Sequence, residues 1–265
     1  MRGVRGWGLP VAVVLLAVTG RGTSSPGQDG PAPSVPTAGS RVDYQLGGAS
    51  DPAPGATGVV RDRTDDPAPG LWSACYVNAF QTHPGSSDWP EDLLLHRADG
   101  DRVEDPGWPG EHLVDTSTAE ARARVLAVVG PWIDGCAAAG FDAVEPDNLD
   151  SWTRSDGLLD ADDAVAMARL LIDRAHAAGL AIAQKNAPEL ADDDLGFDYA
   201  VAEDCAAFDE CAVYTDAYPS VLDVEYTDAA FVRACALTGL RVQRRDLDVT
   251  RPGDPGYVAA WCPAR

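Results

Sequence analysis

One short segment of the chain contains its densest group of side chains able to do acid–base chemistry. An apolar stretch at residues 141–144 predicts a buried strand. Three acids and an indole follow it within eight residues: Glu145, Asp147, Asp150 and Trp152. Proline cannot donate a ladder hydrogen bond, so Pro146 predicts the end of this strand. Because α/β folds place their sites at the carboxyl ends of strands, the segment predicts an acidic site at a sheet edge.

Polar side chains also end several other apolar stretches, and carboxylates dominate when these are counted with the acids of the first segment. The further candidates are Asn148 in that segment and, elsewhere, Asn78, Lys185, Asn186, Glu203, Glu225 and Tyr226. The four histidines are scattered along the chain and no Gly-x-Ser-x-Gly segment occurs, which argues against a serine hydrolase or a histidine-ligated metal site. Glycoside hydrolysis needs one carboxylic acid to protonate the leaving oxygen and one carboxylate to attack the sugar or activate water. A magnesium-dependent barrel enzyme, which would show a similar set of acids, is an alternative.

The elements that must position these residues repeat along the chain. Gly140, Gly179 and Gly239 each close a predicted helix and precede a strand, as glycine does at left-handed helix ends. Strands are predicted near residues 43, 59, 75, 143, 182, 200, 223 and 242. Eight strands, with helices between most of the later ones, predict an α/β fold, a single-domain (β/α)8 TIM barrel. A doubly wound open sheet is the alternative, but no Gly-x-Gly-x-x-Gly segment follows the first strand.

Local signals add detail to this outline. Residues 84–112 are rich in proline, glycine and tryptophan and predict a long loop after the third strand, with an extra short strand at residues 113–115. A capping-box sequence at Ser117 predicts the start of a helix, which Pro131 should kink or split. Asp160 is the predicted N-cap of the next long helix.

Composition limits the partners of the protein. The 265 residues carry 42 acidic and 20 basic side chains, for a formal net charge of −22. This balance argues against nucleic acid or an anionic membrane as a partner and permits a cationic one, although a general acidic bias would give the same count. No cofactor or metal is expected, and the chain is expected to act as a monomer.

The amino terminus predicts export from the cell. A basic start and a ten-residue apolar stretch at residues 9–18, too short to span a bilayer, indicate a signal peptide over residues 1–25. Residues 26–40, which are rich in glycine, proline and serine, predict a disordered linker, and residues 41–265 the barrel. The mature protein should be secreted, without a membrane attachment. Six cysteines suit an oxidising compartment and allow fifteen pairings, among which Cys205 and Cys211 are close enough to bridge locally.

Several motifs together resemble glycoside hydrolase family 114, the endo-α-1,4-polygalactosaminidases and related secreted spherulin-like proteins. They run in the family's order over about residues 42–248. They are Cys75-Tyr76-Val77-Asn78-Ala79-Phe80, Trp108-Pro109-Gly110-Glu111, Glu145-Pro146-Asp147-Asn148-Leu149-Asp150, Lys185-Asn186, Glu203-Asp204-Cys205 with Cys211, and Val224-Glu225-Tyr226. Ala187 and Ala202 depart from the family's pattern. The resemblance implies a (β/α)8 barrel with two catalytic carboxylates, Asp147 after the fourth strand and Glu203 after the sixth.

The resemblance also implies roles for the candidate residues. Asp147 is expected to be the nucleophile and Glu203 the general acid/base, or the reverse. Glu145 is expected to lie buried behind them and to orient Lys185 or Asn186. The expected substrate-binding residues are Asn78, Asn148, Asp150, Trp152, Lys185, Asn186, Glu225 and Tyr226.

The function implied is that of a secreted hydrolase cleaving an α-1,4-linked, galactosamine-containing polysaccharide that is cationic because it is partly deacetylated. A carbohydrate-binding cell-surface barrel without turnover is the alternative.

Overall fold

Eight parallel strands form a barrel in the computed structural model, which describes residue 3 and residues 34–263. In chain order they are β1 Val42–Gln45, β2 Gly58–Asp62, β3 Trp72–Asn78, β4 Ala143–Asp147, β5 Ala181–Lys185, β6 Tyr199–Glu203, β7 Val221–Glu225 and β8 Leu240–Arg245. Each strand pairs in parallel with the next one in sequence. The predicted eight-stranded barrel is therefore confirmed.

Helices cover the outside of the later strands. They are α1 Ala119–Ala139, α2 Ala161–Ala177, α3 Cys205–Phe208, α4 Cys211–Ala217 and α5 Asp228–Ala236. The predicted N-cap Asp160 accepts a hydrogen bond from the Asp163 N–H and completes a capping box. Helix α1 continues through Pro131 instead of splitting there. The carbonyl that loses its partner belongs to Ala127, which is exposed, so water can satisfy it.

The phase of the pleat decides which strand residues enter the barrel. Along β4 and β5, alternate residues ending in Asp147 and Lys185 face the interior, where Ala143, Ala181 and Ala183 pack together. Both faces of most strands are apolar because helices cover the outer face. The polar ends of the inward-facing rows therefore converge at one mouth of the barrel.

Side chains close the barrel between its first and last parallel strands. Among the described residues no backbone ladder joins β8 to β1. Instead the Gln243 amide accepts a hydrogen bond from the Tyr44 N–H at 2.8 Å and donates one to Asp43 at 3.1 Å. A ninth strand that the sequence did not predict, β9 Ala259–Trp261, pairs antiparallel with the free edge of β8.

Two predicted boundaries were wrong. Strand β4 runs through Pro146 to Asp147, because its pairing with β5 has already stopped at Val144 while its pairing with β3 continues. The described part of the predicted disordered linker, residues 34–40, packs on the barrel, where the Pro36 carbonyl accepts a hydrogen bond from Ser220 at 2.8 Å and Val35 contacts the core. The predicted signal peptide and the rest of the linker lie outside the described residues, apart from residue 3.

A long excursion follows β3, as predicted. It contains a 3-10 turn, Glu91–Leu93, and four isolated antiparallel bridges, two of which involve Leu113 and Val114 in the predicted extra strand. Among helices of the described residues, none is long and apolar enough to cross a bilayer.

Candidate active site

The carboxyl ends of the strands surround a cavity of about 440 Å³. Most of its walls are polar, and six of its lining residues are acidic. The residues that line it are Leu46, Tyr76, Gln81, Asp105, Gly107, Trp108, Glu111, Asp147, Asn148, Asp150, Arg154, Asn186, Glu203, Tyr226, Leu247, Asp248 and Val249.

Lys185 forms the floor below this cavity. Its side chain is 1% exposed, and its ammonium nitrogen lies 3.0 Å from Glu145, 3.2 Å from Asp147 and 3.3 Å from Glu203. It also donates a hydrogen bond to the Tyr44 hydroxyl at 3.0 Å. Burial lowers the pKa of Lys185, but the surrounding acidic groups outweigh burial and raise it well above its usual value. The lysine is therefore a fixed positive charge shared by three carboxylates.

Both oxygens of Asp147 are held. Its Oδ1 accepts a hydrogen bond from the Asn148 N–H at 2.7 Å, and its Oδ2 accepts one from the Tyr76 hydroxyl at 2.7 Å. Burial acts to raise the pKa of Asp147, but the charge of Lys185 and these hydrogen bonds outweigh it, and the pKa is lowered. Asp147 thus remains an oriented anion with 16% of its side chain exposed to the cavity.

Glu203, at the end of β6, is held by a separate set of partners. The Tyr226 hydroxyl donates to its Oε1, and the Asn186 amide donates to its Oε2 at 3.3 Å. Asn186 also accepts a hydrogen bond from the Glu203 N–H at 2.9 Å, so one side chain fixes both the backbone and the carboxylate. One oxygen of Asp147 lies 3.2 Å from the Lys185 ammonium nitrogen, and one oxygen of Glu203 lies 3.3 Å from it. The nearest oxygens of the two carboxylates are therefore no more than about 6.5 Å apart. The structure therefore brings the two predicted carboxylates together in one cavity.

Glu145 lies deeper, where no solvent reaches it. The Tyr44 hydroxyl and the Lys185 ammonium both donate to its Oε1. Burial raises the pKa of Glu145, and the charge of Lys185 opposes that rise. Its contact with Lys185 places it where the sequence interpretation put it, behind the two cavity carboxylates.

The residue that follows each of these site strands has left-handed backbone geometry. Asn148, Asn186 and Asp204 have φ angles of 64°, 48° and 56°. Asparagine and aspartate tolerate this conformation better than most residues because their short polar side chains bond locally. The Asp-Asn, Lys-Asn and Glu-Asp pairs of the sequence thus turn the chain sharply after the functional side chain.

An arginine network supports the rim of the cavity. Arg154 contacts Asp105 in the long loop at 2.6 Å and Asp150 at 2.8 Å. It also donates to Asn148 at 3.1 Å, and Asn148 donates in turn to the buried Asn78 at 3.0 Å. This network ties the loop after β3 to the turn that carries Asp147.

The fold and the pair of carboxylates agree with the resemblance found in the sequence. The model of glycoside-hydrolase family GH114 matches residues 23–263. The chain belongs to this family. It is accordingly a glycoside hydrolase, as expected. None of the curated proteins compared with the chain matches it.

Solved structures share this barrel fold at low sequence identity. Aspergillus fumigatus Ega3, solved in complex with galactosamine, is 22% identical with a TM-score of 0.69, and the match covers 89% of this chain and 100% of that one. The glycoside hydrolase domain of PelA from Pseudomonas aeruginosa is 14% identical with a TM-score of 0.54, covering 83% of this chain and 98% of the domain. These likenesses support the barrel fold.

Most of the predicted site residues of this GH114 chain lie at the cavity. Asp147, Asn148, Asp150, Asn186, Glu203 and Tyr226 line it, and Lys185, Asn78 and Glu145 support it from below. Trp152 was predicted to contact sugar, but it lies in a 3-10 turn, Ser151–Arg154, with its ring against the core. The apolar loop cluster there offers the indole more buried area than the polar cavity would. Trp108, which is 45% exposed, lines the cavity instead.

Glu225 is the second predicted substrate contact that the structure places elsewhere. Glu225 and Val221 lie on the same face of strand β7, since they are four residues apart. Val221 packs against the outer helices, so Glu225 points away from the barrel interior. It is fully buried, and its Oε1 accepts a hydrogen bond from the Ala206 N–H at 2.7 Å. Glu225 therefore fixes the start of α3 and does not line the cavity.

Sequence reasoning missed several cavity residues. Tyr76 could have been found, since it has the strand phase of Asn78 and must face the same side. Arg154 lies four residues after Asp150 in sequence, a spacing typical of local ion pairs. Asp105 and Glu111 reach the site from a long loop that has no periodic pattern, although Glu111 ends one of the motifs that carry the resemblance to the family.

One group of potential metal ligands occurs within the described ranges. It consists of Cys205, Cys211, Asp223 and Glu225, outside the barrel interior. Its two cysteines form a disulfide, so neither offers a thiolate. All six cysteines are paired, as Cys75–Cys136, Cys205–Cys211 and Cys235–Cys262. The predicted Cys205–Cys211 bridge is thus confirmed.

Proposed function

We propose that this GH114 enzyme is a secreted hydrolase that cleaves α-1,4-linked, galactosamine-containing polysaccharide within the chain. The observation that carries the proposal is the pair of carboxylates, Asp147 and Glu203, which both contact Lys185 and line one cavity. Ega3, a solved barrel of similar fold, was crystallised with galactosamine, which supports an amino sugar as the substrate.

The contacts of the two carboxylates suit a double displacement. Asp147 would attack the anomeric carbon as an anion while Glu203, in its acid form, protonates the leaving glycosidic oxygen. The covalent glycosyl–Asp147 ester would then react with water, from which Glu203 takes a proton as the oxygen bonds to carbon and Asp147 leaves. The lowered pKa of Asp147 suits it to the anionic role better than the acid role.

Charge favours a cationic polymer over other polysaccharides. The cavity is lined by six carboxylates, and Arg154 is the cation among its lining residues. Lys185 adds one positive charge beneath them. The remaining negative potential would attract protonated amines and repel uronic acids.

Secretion is supported by the three disulfides and by the basic and apolar amino-terminal sequence. Expression of the full chain in a secreting host should release protein whose amino terminus lies near residues 20–26. Recovery of the chain only inside cells, with residues 1–25 intact, would contradict secretion.

The test of the reaction is incubation with a matched panel of polymers, followed by mass analysis of products. The panel contains deacetylated and acetylated α-1,4-galactosaminans, chitosan as a glucosamine polymer, and polygalacturonate as an anionic galacto-polymer. Oligomers of several lengths from the galactosaminans, unaffected by a metal chelator, are expected. Cleavage of chitosan alone, or loss of activity with chelator, would contradict the proposal.

A further inference from the structure

The acidic residues of the cavity differ in whether a cation neutralises them. Asp147 and Glu203 share Lys185, and Asp105 and Asp150 share Arg154. Within residues 34–263 no ion pair involves the other two, Glu111 and Asp248. Asp248 is exposed to solvent, whereas Glu111 is partly buried. An unpaired carboxylate that is partly withdrawn from water interacts more strongly with a cation than an exposed one does.

Glu111 is held in place by Gln81 from the wall of the cavity. The Gln81 amide nitrogen donates to Glu111 Oε2 at 2.8 Å. This orientation is the one that suits an ionised Glu111, since the reverse would set an amide oxygen against a carboxylate oxygen. Burial raises the pKa of Glu111, and the negative charges of Asp147 and Asp105 act in the same direction, while the Gln81 hydrogen bond and His83 oppose them. A bound cation would relieve this unfavourable environment.

Gln81 adds a second, independent observation. Its side chain is fully buried, and its Oε1 accepts no hydrogen bond from the described residues. A buried amide oxygen without a donor is costly, which indicates that a donor is missing at this wall. Glu111 and Gln81 thus present two acceptor groups side by side, and an ammonium group, with three donors and no acceptor, matches them.

We propose that Glu111 and Gln81 form a subsite for one protonated amine of the substrate, and that this subsite selects deacetylated sugar residues. The proposal rests on the proposed function and names the residues that recognise its cationic substrate. An N-acetylated residue offers one amide N–H and no charge, so it would pair poorly with Glu111. Selection would then depend on a group other than the two reacting carboxylates.

The test compares Glu111→Gln with the wild-type protein, using galactosamine and N-acetylgalactosamine as calorimetric probes. The variant keeps an amide oxygen that can accept from Gln81, so the wall should stay intact. We expect galactosamine to bind about 10- to 100-fold more weakly, the loss typical of a hydrogen bond to a charged group, with little change for N-acetylgalactosamine. Glu120→Gln, which removes an equal charge from an exposed position in α1, is the matched control and should bind as the wild type does.

Three outcomes would overturn the subsite. They are unchanged galactosamine affinity in Glu111→Gln, an equal loss in Asp248→Asn, or no preference for galactosamine in the wild type. The first two would leave the proposed function standing if the wild-type protein still degrades the galactosaminans. A wild-type protein that binds galactosamine through Glu111 but cleaves no galactosaminan would instead contradict the proposed function.

Discussion

At the scale of single residues, Lys185 is the group on which the others depend. It is the chain's one lysine, and it lies within 3.3 Å of three carboxylates that burial would otherwise make costly to ionise. Tyr44, Tyr76 and Tyr226 surround the same charges, and burial raises the pKa of each hydroxyl well above its usual value. The tyrosines therefore remain donors over the working range of the enzyme.

Replacement of either cavity carboxylate should reduce turnover severely and leave the fold intact. Asp147→Asn and Glu203→Gln preserve the shape of each side chain but remove its charge or proton, so kcat should fall by about 10²–10⁴-fold. Product formation on the deacetylated polymer measures the effect, and calorimetry with galactosamine checks that binding survives. A Glu203→Gln protein with unchanged kcat would end the assignment.

Lys185→Met should affect both stability and the pH profile. Removing the ammonium leaves buried carboxylates without their partner, and a cost of about 3–5 kcal/mol in the free energy of unfolding is expected. The pKa of Asp147 should rise, because Lys185 helps to lower it, so the acid limb of the kcat/KM profile should shift to higher pH. Arg174→Met, which breaks an exposed ion pair with Asp134, is the control and should cost less than about 1 kcal/mol.

Glu225 predicts a pH dependence of stability outside the active site. Burial raises its pKa to about 6, with the charge of Asp204 acting in the same direction and the Ala206 N–H opposing. The pKa of Glu225 is higher in the folded protein than in the unfolded chain, so folding is favoured by the neutral form of its carboxyl group. This contribution to stability is fully present below the unfolded pKa of about 4.3 and is lost as the pH rises through about 6.

Glu225→Gln should therefore stabilise the protein at pH 7 by roughly 2 kcal/mol relative to the wild type, and little at pH 4. The amide can keep the acceptor for Ala206 and donate towards Asp223, whose two oxygens lack partners among the described residues. Urea unfolding at both pH values measures the difference. A stability difference that does not change between them would exclude this linkage.

At the scale of elements, the turn after β6 connects a disulfide to the reacting groups. Cys205 begins α3 two residues after Glu203, and its bridge to Cys211 spans only six residues. Asp204, in left-handed geometry between them, accepts a hydrogen bond from the Tyr226 N–H at 3.1 Å. The bridge thus restrains the turns that carry both Glu203 and the tyrosine that holds it.

Replacing Cys205 and Cys211 together by serine should reduce kcat severely, although it should cost little of the free energy of unfolding. Loop closure over so few residues accounts for about 2 kcal/mol, whereas a small displacement of Glu203 can reduce kcat severely. The control removes Cys235 and Cys262, whose bridge spans 27 residues on the outside of the barrel. That variant should lose about 3–4 kcal/mol of stability but retain more of its kcat. The reverse order of effects on kcat would contradict the role of the turn.

At the scale of the whole molecule, charge should control substrate preference. With a net charge of −22 and an acidic cavity, the enzyme should attract a cationic polymer over distances that salt screens, since the Debye length is about 10 Å at 0.1 M. Values of kcat/KM on the deacetylated polymer should exceed those on the acetylated one and fall with added salt. Equal, salt-insensitive rates on both polymers would show that the acidic composition has no role in recognition.

The sequence by itself determined the features that arise from local chemistry and period. Glycines with positive φ end the helices at Gly140 and Gly179, the Asp160 capping box starts α2, and polar residues end the apolar strands. These signals depend on residues close together in the chain, so the eight strands could be predicted from them, whereas the pairing of Asp147 with Glu203 was implied by the resemblance to the family. The bridge between Cys205 and Cys211 belongs to the same class because its partners are near neighbours.

Only the tertiary structure decided which polar residues face the cavity. Strands in this barrel are apolar on both faces, so their sequence does not show which set of alternate residues points into the barrel. Glu225 belongs to the set that points outward. Trp152 packs against an apolar cluster formed mainly by the loop after β3, which is distant from it in the sequence. Glu111 and Gln81 are 30 residues apart in the sequence and come into contact without any periodic signal. Gln243 bonds to Tyr44 of β1, 199 residues away in the sequence, and so closes the barrel. Such contacts depend on the closed arrangement of all the strands, which no local segment of the chain specifies.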